Sequence, residues 1–447
     1  MRQQTKESVE SNSKSLLTLL WIITASITWS LGQRFDHDPT FPAVGRFYQV
    51  HLLQMGMEHG NPKYRETDNW FRVNSPQVSL MKSIKHRYET RYNGLMMIWA
   101  EADITSISGA ELYLELWGGH PGTHSKGVSV NGRTTYALPE VGSADHHCTH
   151  SYPTITLKTS DLVNGYNAFQ FTCEKDSEWG WGHYILHDAR LRLELPSDHP
   201  LLKSSGVEKF QARVKVVPSS GKKGIELSLD VPNALLTKID SVSYQAFYRG
   251  YDENGNSLEL DWHGLTHRRQ DRAFAGRSSK APFSVFWDTS MLPEQSQVAV
   301  RAILSFKGEA DLTYMTPPTQ GLRTEPRVGN WVTLHTPQEI PIPFWSRANR
   351  LKTCEIKLET SRIERAVLHI SVWGGNPGQV KEYFTLNGHF IPIAPPKGMG
   401  PIWYHQIEVS PEWLKPGKNK IELLSDTEHH GIEVLRPGPA LMVRYAE

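Results

Sequence analysis

The stretch AELYLELWGGHPG at residues 110–122 returns at residues 366–378 as AVLHISVWGGNPG. Both copies alternate apolar and polar side chains up to Trp-Gly-Gly and then break at Pro-Gly, a pattern typical of a half-buried β-strand that ends in a tight loop. Fourteen residues after each tryptophan stands an Asn-Gly pair, at Asn131 and Asn387, which predicts a hairpin turn. The chain therefore contains a duplicated β module.

The duplication extends upstream of this stretch. Residues 98–122 align with residues 354–378 without a gap, so Cys354 takes the position of Ile98 and is expected to be a buried thiol in an apolar slot. Asn69-Trp70 is echoed by Asn330-Trp331, which predicts that each module opens with the same edge strand.

Downstream, DLVNGYNAFQF (161–171) is similar to EWLKPGKNKIEL (412–423), where a turn delivers an asparagine into an alternating strand. The repeat period of about 256 residues is too long for a solenoid, so it indicates two homologous domains with a different one between them. Trp117 and Trp373 occupy the same strand position in both copies, and we assign them to packing.

Composition limits the classes of partner. A chain of 447 residues is long enough for about three domains, and its 48 Lys and Arg nearly cancel its 47 Asp and Glu. This balance provides no field that would steer the protein onto nucleic acid or anionic lipid. The 14 tryptophans fit β-sandwich packing, with exposed rings that stack on ligands as the alternative.

The N-terminus predicts export. Residues 1–32 have a polar start with a basic end, an apolar run at 16–27 and small residues at 30–32, which together are typical of a secretory signal peptide. The apolar run is shorter than the roughly 20 residues of a membrane span. We expect a secreted or extracytoplasmic protein with no membrane span after cleavage. In the extension at 33–65 that follows, residues 47–59 are apolar enough to pack on a neighbour as an added strand or a short helix.

The rest of the chain divides into a first module (66–196), a polar linker (197–206), a central region (207–324) and a second module (328–447). Successive alternating segments predict that the central region is an immunoglobulin-like sandwich. Its predicted core contains Tyr244, Ala246, Tyr248, Val285 and Trp287. The DENGN turn at 252–256 fails the EF-hand pattern of calcium ligands and is interpreted as a hairpin turn.

These short strands with Asn-Gly turns resemble the galactose-binding-like jelly rolls of secreted carbohydrate-binding modules, with an immunoglobulin-like domain between the two copies. The resemblance implies an all-β fold, with two homologous jelly-roll β-sandwich modules flanking an immunoglobulin-like β-sandwich. It also implies that saccharides or surfaces are bound through loops at one end of a sandwich, which is an analogy at the level of the fold.

Three cysteines remain in the exported chain, and export permits disulfides. Cys148 and Cys173 lie in the same module, so a bridge between them is one hypothesis. The alternative is that both remain thiols.

The first module concentrates histidine in predicted loops. We interpret these imidazoles as a solvated set; the alternative is a divalent metal site (copper, zinc or calcium) built from His146, His147 and His150, because loops at one end of a sandwich converge. No other cofactor is predicted. Position 120 is histidine in the first copy and Asn376 in the second, so a structural role common to both copies does not explain the excess.

The loop EWGWGH at 178–183 is the strongest candidate ligand-binding segment, since glycines around a tryptophan leave its ring free to stack on a sugar face. Trp403 and Tyr404 are the corresponding platforms in the second module. The candidate ligand-binding residues are Glu178, Trp179, Trp181, His183, Asp188, Arg190, His120, Trp403 and Tyr404.

No G-x-S-x-G, H-E-x-x-H or P-loop motif occurs in the sequence, and no catalytic residue is assigned. We therefore expect a secreted multi-domain β protein that binds carbohydrate or another extracellular surface without catalysis. One alternative is an extracellular polysaccharide-degrading enzyme, a lyase or a metal-dependent hydrolase, that uses the histidine-rich loops. A second alternative is a structural component of the cell envelope.

Overall fold

The computed structural model describes most of the chain from residue 41 onward, and all structural statements below concern these described residues: 41–52, 71–76, 94–101, 103–138, 148–176, 182–218, 224–264, 275–324, 330–359, 362–393, 402–428 and 431–446. Regular structure in them is almost entirely β, which confirms the predicted all-β fold class. Within them, no helix is long and apolar enough to span a bilayer.

The N-terminal segment and the first module contribute ten strands: β1 (Arg46–Leu52), β2 (Phe71–Asn74), β3 (Leu95–Ala100), β4 (Gly109–Trp117), β5 (Thr123–Val130), β6 (Thr134–Ala137), β7 (His150–Ser151), β8 (Thr154–Leu157), β9 (Gly165–Lys175) and β10 (His183–Leu195). Two single 3₁₀ turns interrupt them at Ile104–Ser106 and Thr159–Asp161.

The linker and the central region contain α1 (Pro200–Ser204), β11 (Arg213–Pro218), β12 (Gly224–Asp230), α2 (Asn233–Leu236), β13 (Ile239–Arg249), β14 (Leu260–His263), β15 (Gly276–Ser278), β16 (Val285–Asp288), β17 (Gln295–Phe306), β18 (Glu309–Met315) and β19 (Thr319–Thr324). The second module contains β20 (Asn330–His335), β21 (Phe344–Ser346), β22 (Lys352–Leu358), β23 (Ile363–Gly374), β24 (Phe384–Leu386), β25 (His389–Phe390), β26 (Ile402–Val409), a 3₁₀ turn (Pro411–Trp413), β27 (Gly417–Leu423), β28 (Ile432–Val434) and β29 (Ala440–Ala446).

Strand β1 joins the first module to the central region. It pairs antiparallel with β10 on one side and with β18 on the other, so that Phe47 lies opposite both Leu195 and Tyr314. One twelve-stranded sheet therefore runs through both parts of the chain. Of the two structures expected for the N-terminal extension, the added strand is the one observed over 46–52.

The strand pairings confirm the duplication and show how each copy opens. In both copies the strand that carries the Trp-Gly-Gly motif, β4 or β23, pairs with the closing strand, β10 or β29. The strand that pairs with the outer side of that closing strand is β1 in the first copy and β20 in the second. By these pairings β20 corresponds to β1, and β21 corresponds to β2. Asn69-Trp70, which was expected to match Asn330-Trp331, lies outside the described residues.

The upstream alignment also shifts by two residues. Ile98 lies opposite Asn167 in the first copy and Ile356 lies opposite Asn419 in the second, so Cys354 corresponds to Met96 and not to Ile98. The connection between the two strands differs in length, which an ungapped alignment misses. The expected buried thiol is confirmed, since Cys354 is 5% exposed and packs in the core of the second module.

The glycines of the repeated motif are explained by close backbone approach. A Cβ on Gly119 would lie 2.3 Å from the carbonyl oxygen of His183, and a Cβ on Gly375 would lie 2.3 Å from that of Gly431. Only glycine fits where the strand end meets the next strand so closely. The motif is therefore a structural requirement in both copies.

The Asn-Gly turns are hairpin turns in both copies, with positive φ at Asn131, Gly132, Asn387 and Gly388. Such left-handed pairs are what two-residue hairpin loops require. The asparagine side chains of these turns also form hydrogen bonds with a neighbouring strand. The Asn131 side-chain amide donates to Oδ1 of Asn167 at 2.9 Å. The second copy repeats this contact between Asn387 and Asn419 at 2.8 Å.

Three large apolar clusters fill the interiors of the first module, the central region and the second module. The predicted central residues Tyr244, Ala246, Tyr248 and Trp287 all belong to the central cluster, and Val285 packs against it. The assignment of Trp117 and Trp373 to packing is confirmed. Both rings belong to a separate cluster that lies between the two modules and not to the core of either module.

Candidate functional site

A loop of the central region, residues 252–257, fills the junction between the two modules. A Cβ on Gly255 would lie 2.3 Å from Cγ2 of Thr149 in the first module and 3.5 Å from the carbonyl oxygen of Arg436 in the second. The Arg436 backbone N–H also donates to the carbonyl of Cys148 at 2.8 Å. The DENGN segment is thus a turn, as predicted, and it brings all three parts of the chain together.

Buried polar groups fix this loop. Nδ1 of His263 lies 2.6 Å from Oε2 of Glu253, and Nε2 of the same imidazole donates to the Tyr248 carbonyl at 3.0 Å. Oε1 of Glu253 accepts from the Tyr152 hydroxyl of the first module at 3.4 Å. Burial raises the pKa of the neighbouring Asp252 carboxyl to about 7, although two backbone N–H groups of the turn donate to it.

A cleft of about 430 Å³ lies between the central region and the second module. Strand alternation explains its second-module wall: Arg365, Val367 and His369 of β23 and Tyr404, Gln406 and Glu408 of β26 lie on the same face of two paired strands. The opposite parity of these strands packs into the module core.

The central region supplies the other wall, which is rich in aromatic and short polar side chains: Tyr248, Tyr251, Phe286, Trp287, Asp288 and Ser290. Phe286 is 45% exposed. At the cleft rim, Nε of Arg365 binds both carboxylate oxygens of Glu408 at 3.1 Å, and its Nη1 donates to Ser290 Oγ at 3.0 Å.

The floor of the cleft consists of the rings of Tyr251, Tyr404 and His369, which contact one another. Tyr251 stacks on Tyr404 with centroids 5.6 Å apart, and its hydroxyl donates to the Gly438 carbonyl at 2.6 Å. The Tyr404 hydroxyl lies 2.7 Å from Nδ1 of His369. Burial, followed by the proximity of His263, lowers the pKa of His369 to about 3, so the imidazole is neutral at physiological pH.

A second group of functional side chains lies where the first module meets the second. His120, Cys148 and Glu433 each offer one ligand atom, and the three atoms lie within 4.8 Å of one another. Sγ of Cys148 is 3.6 Å from Nδ1 of His120, which is 3.9 Å from Oε1 of Glu433. All three side chains are buried.

Burial perturbs the two acids in this group. It raises the pKa of the Cys148 thiol, an effect that the nearby Glu433 carboxylate strengthens, and it raises the pKa of Glu433 to about 7. The His120 ring is held between two tryptophans, stacked on Trp345 at 5.2 Å and edge-on to Trp117 at 5.0 Å.

The disulfide hypothesis is wrong. Cys148 and Cys173 are both thiols: Sγ of Cys148 faces His120, and Sγ of Cys173 lies 3.7 Å from the Val73 carbonyl inside the first module. Both cysteines belong to the first module, but they lie in different parts of it. Cys173, on strand β9, is in the module core, whereas Cys148 lies at the boundary with the second module.

Besides His120 and Tyr404, which are also buried, three candidate ligand residues are internal. Trp403 belongs to the core of the second module, with 4% of its surface exposed, so its prediction as a binding platform is wrong. Adjacent strand residues point to opposite faces, which is why Tyr404 reaches the cleft and Trp403 does not. Asp188 is buried and forms an ion pair with Arg190 at 2.7 Å, and His183 is buried with its ring 5.6 Å from that of Trp117.

The predicted histidine set divides. His120 joins Cys148 and Glu433, whereas His150 is buried with its ring centroid 5.4 Å from that of His187. His150 belongs to no metal-sized group of ligands in the part of the chain that the structure describes. The predicted site residues Glu178, Trp179, Trp181, His146 and His147 lie outside the described residues.

No protein-family model matches the sequence, and no curated protein matches it. Among solved structures, the chain is similar to a β-porphyranase of glycoside hydrolase family 86 from the human gut bacterium Bacteroides plebeius, with 14% identity over 53% of this chain and 37% of that one and a TM-score of 0.23.

A β-glucuronidase from an uncultured Clostridium sp. shows 8% identity over 74% of this chain and 52% of that one, with a TM-score of 0.18. An exo-β-1,3-galactanase from Phanerochaete chrysosporium shows 9% identity over 78% of each chain, also with a TM-score of 0.18. Similarities at these TM-scores carry no argument about the fold or the activity of this chain.

Proposed function

We propose that the protein binds an extracellular carbohydrate in the cleft between the central region and the second module. The observation that carries this proposal is the composition of the cleft walls. A half-exposed Phe286 stands opposite a strand face that presents Arg365, Gln406 and Glu408. An aromatic face suits the C–H side of a sugar ring, while guanidinium, amide and carboxylate groups suit its hydroxyls.

The size and rigidity of the cleft support the same ligand class. A volume of about 430 Å³ lies within the usual range for small-ligand sites. The bidentate contact between Arg365 and Glu408 and the Tyr251–Tyr404 stack fix the polar groups before any ligand arrives, which reduces the entropy lost on binding. The proposed site therefore differs from the first-module loops favoured by the sequence.

Affinity gel electrophoresis against a panel of soluble polysaccharides tests this function. Retention by one or more of them is expected, and Phe286→Ala should weaken it about tenfold, the equivalent of ~1.4 kcal/mol for a lost ring contact. Trp99→Ala is the matched control, because Trp99 is similarly exposed, at 47%, but lies on β3 away from the cleft. The absence of retention on every polysaccharide, or an equal loss in both variants, would refute the proposal.

The same experiment separates binding from catalysis. A reducing-end assay on each retained polysaccharide should give no product if the protein only binds. Release of reducing ends that Asp288→Asn or Glu408→Gln abolishes would favour the enzymatic alternative, because both carboxylates line the cleft.

A further inference from the structure

The chemistry of the buried group at the module boundary is that of a metal site. An imidazole, a thiol and a carboxyl group converge with 5%, 2% and 3% of their respective residues exposed. Oε1 of Glu433 makes no hydrogen bond of good geometry with the described residues; the Cys148 thiol interacts with this carboxyl group, and Nδ1 of His120 lies 3.9 Å from Oε1. A buried carboxylate oxygen without a well-formed hydrogen bond is costly unless a cation faces it.

We propose that His120, Cys148 and Glu433 bind one Zn²⁺ ion that joins the first module to the second. This site does not depend on the carbohydrate cleft. A thiolate, a carboxylate and a neutral imidazole carry two negative charges, which a divalent ion cancels within this buried group. The mixed sulfur, nitrogen and oxygen donors suit zinc, whereas a thiolate disfavours calcium and magnesium.

The distances fit tetrahedral coordination. Zinc lies about 2.3 Å from thiolate sulfur and about 2.0–2.1 Å from imidazole nitrogen, so tetrahedral angles place these two atoms roughly 3.5 Å apart. The observed separation of Cys148 Sγ and His120 Nδ1 is 3.6 Å. The separation of His120 Nδ1 and Glu433 Oε1, 3.9 Å, is somewhat wider than the roughly 3.3 Å of ideal geometry and closes with a small side-chain rotation.

The surroundings hold the donors in place. Cys148 has a φ of 56°, a left-handed conformation that side chains rarely adopt, and its backbone N–H and carbonyl are fixed by Gly119 at 2.7 Å and Arg436 at 2.8 Å. The two tryptophans on either side of His120 orient its ring. Supporting contacts of this kind are what metal sites require around their ligands.

The duplication shows that these donors are not part of the shared framework. His120 aligns with Asn376 of the second copy. Glu433 lies opposite Trp373 just as Ile185 lies opposite Trp117, so the first copy has isoleucine where the second has glutamate. Each module thus contributes a donor that the other lacks, and the group exists only where the two copies meet.

Metal analysis of the full-length mature chain, purified without a histidine tag or chelators and incubated with Zn²⁺ before dialysis, tests the site. About one zinc per chain is expected. Substituting Co²⁺ should give a thiolate-to-cobalt charge-transfer band, which reports the Cys148 ligand directly. His120→Asn, Cys148→Ser and Glu433→Gln should each lower zinc retention at least tenfold.

Two variants distinguish the loss of a zinc ligand from the loss of the fold. His120→Asn introduces the residue that the second copy tolerates at this position, so it should keep the wild-type far-ultraviolet spectrum. Cys354→Ser removes a buried thiol in the core of the second module and should retain zinc. Less than about a tenth of a zinc per chain in the wild type, or full retention in folded His120→Asn, would overturn the proposal.

Discussion

Removing Asn419 should destabilise the second module by about 3 kcal/mol. Its fully buried amide donates to the carbonyls of Lys415 at 2.8 Å and Gly417 at 3.1 Å. Its Oδ1 accepts from the Lys415 N–H at 3.0 Å and from Asn387 at 2.8 Å. Four hydrogen bonds at roughly 0.5–1.5 kcal/mol each, with their partners left buried in Asn419→Ala, give this estimate.

The first copy provides an internal replicate. Asn167 makes the same four contacts, to the carbonyls of Val163 and Gly165, to the Val163 N–H and to Asn131. Asn167→Ala should therefore cost the same as Asn419→Ala to within about 1 kcal/mol. In Asn419→Asp the second carboxylate oxygen would face two carbonyls, so this variant should be less stable than the alanine variant.

Urea unfolding followed by circular dichroism measures these costs. Asn164→Ala is the control, since Asn164 lies in the same turn as Asn167 but is exposed and accepts a single hydrogen bond, from the Ile104 N–H. It should cost less than 1 kcal/mol. If both buried asparagines could be replaced by alanine at a cost below about 1 kcal/mol, the role given to this shared network would be refuted.

Three further predictions test the fold and its electrostatics by the same unfolding measurement. Gln49→Pro should cost on the order of 3 kcal/mol, because it removes a backbone donor from a strand paired on both sides, while Gln49→Thr should be nearly neutral. Gly119→Ala and Gly375→Ala should each cost about 1–3 kcal/mol through the 2.3 Å contact with a carbonyl oxygen, and equality with wild type would contradict this. Asp252 has a folded pKa of about 7 against an ordinary 3.8, so its contribution to stability is complete below about pH 3.8 and is lost as pH rises through 7. Asp252→Asn should therefore lose less stability between pH 4 and 8 than the wild type, by about 1–3 kcal/mol after allowance for the partial exposure of the carboxyl group, and an identical pH profile would contradict the assignment.

Local patterns predicted the parts of the fold that depend on local chemistry. The alternation around Trp117 and Trp373, the Asn-Gly turns and the parity of Tyr244, Ala246 and Tyr248 all follow from strand periodicity, and the structure confirms them. The pairing of β1 with β10 and β18 did not follow, because contacts between strands that are distant in sequence leave no periodic signal. The two-residue shift before β23 has a related cause. Only the register against the paired strand shows which residues of the two copies are equivalent.

Parity could have improved the prediction of the site. Along β26 the cleft residues Tyr404, Gln406 and Glu408 alternate with the inward-facing Trp403, so choosing both Trp403 and Tyr404 as platforms was inconsistent with a single strand. The central-region wall around Phe286 carried no comparable signal. It becomes a wall only because the second module packs opposite to it.

The differences between the two copies explain why function is expected at the boundaries of the modules. Positions that define the framework, such as Gly119 with Gly375 and Asn167 with Asn419, are the same in both copies because each module must fold. The residues on equivalent strand faces differ between the copies where those faces pack against the central region or the other module. Tyr113 of β4 is fully buried against the central region, whereas its counterpart His369 of β23 lines the cleft. Two copies of one sandwich have thus kept a common interior, while the surface that each presents to the central region and to the other copy has changed, closing one face and leaving a cleft at the other.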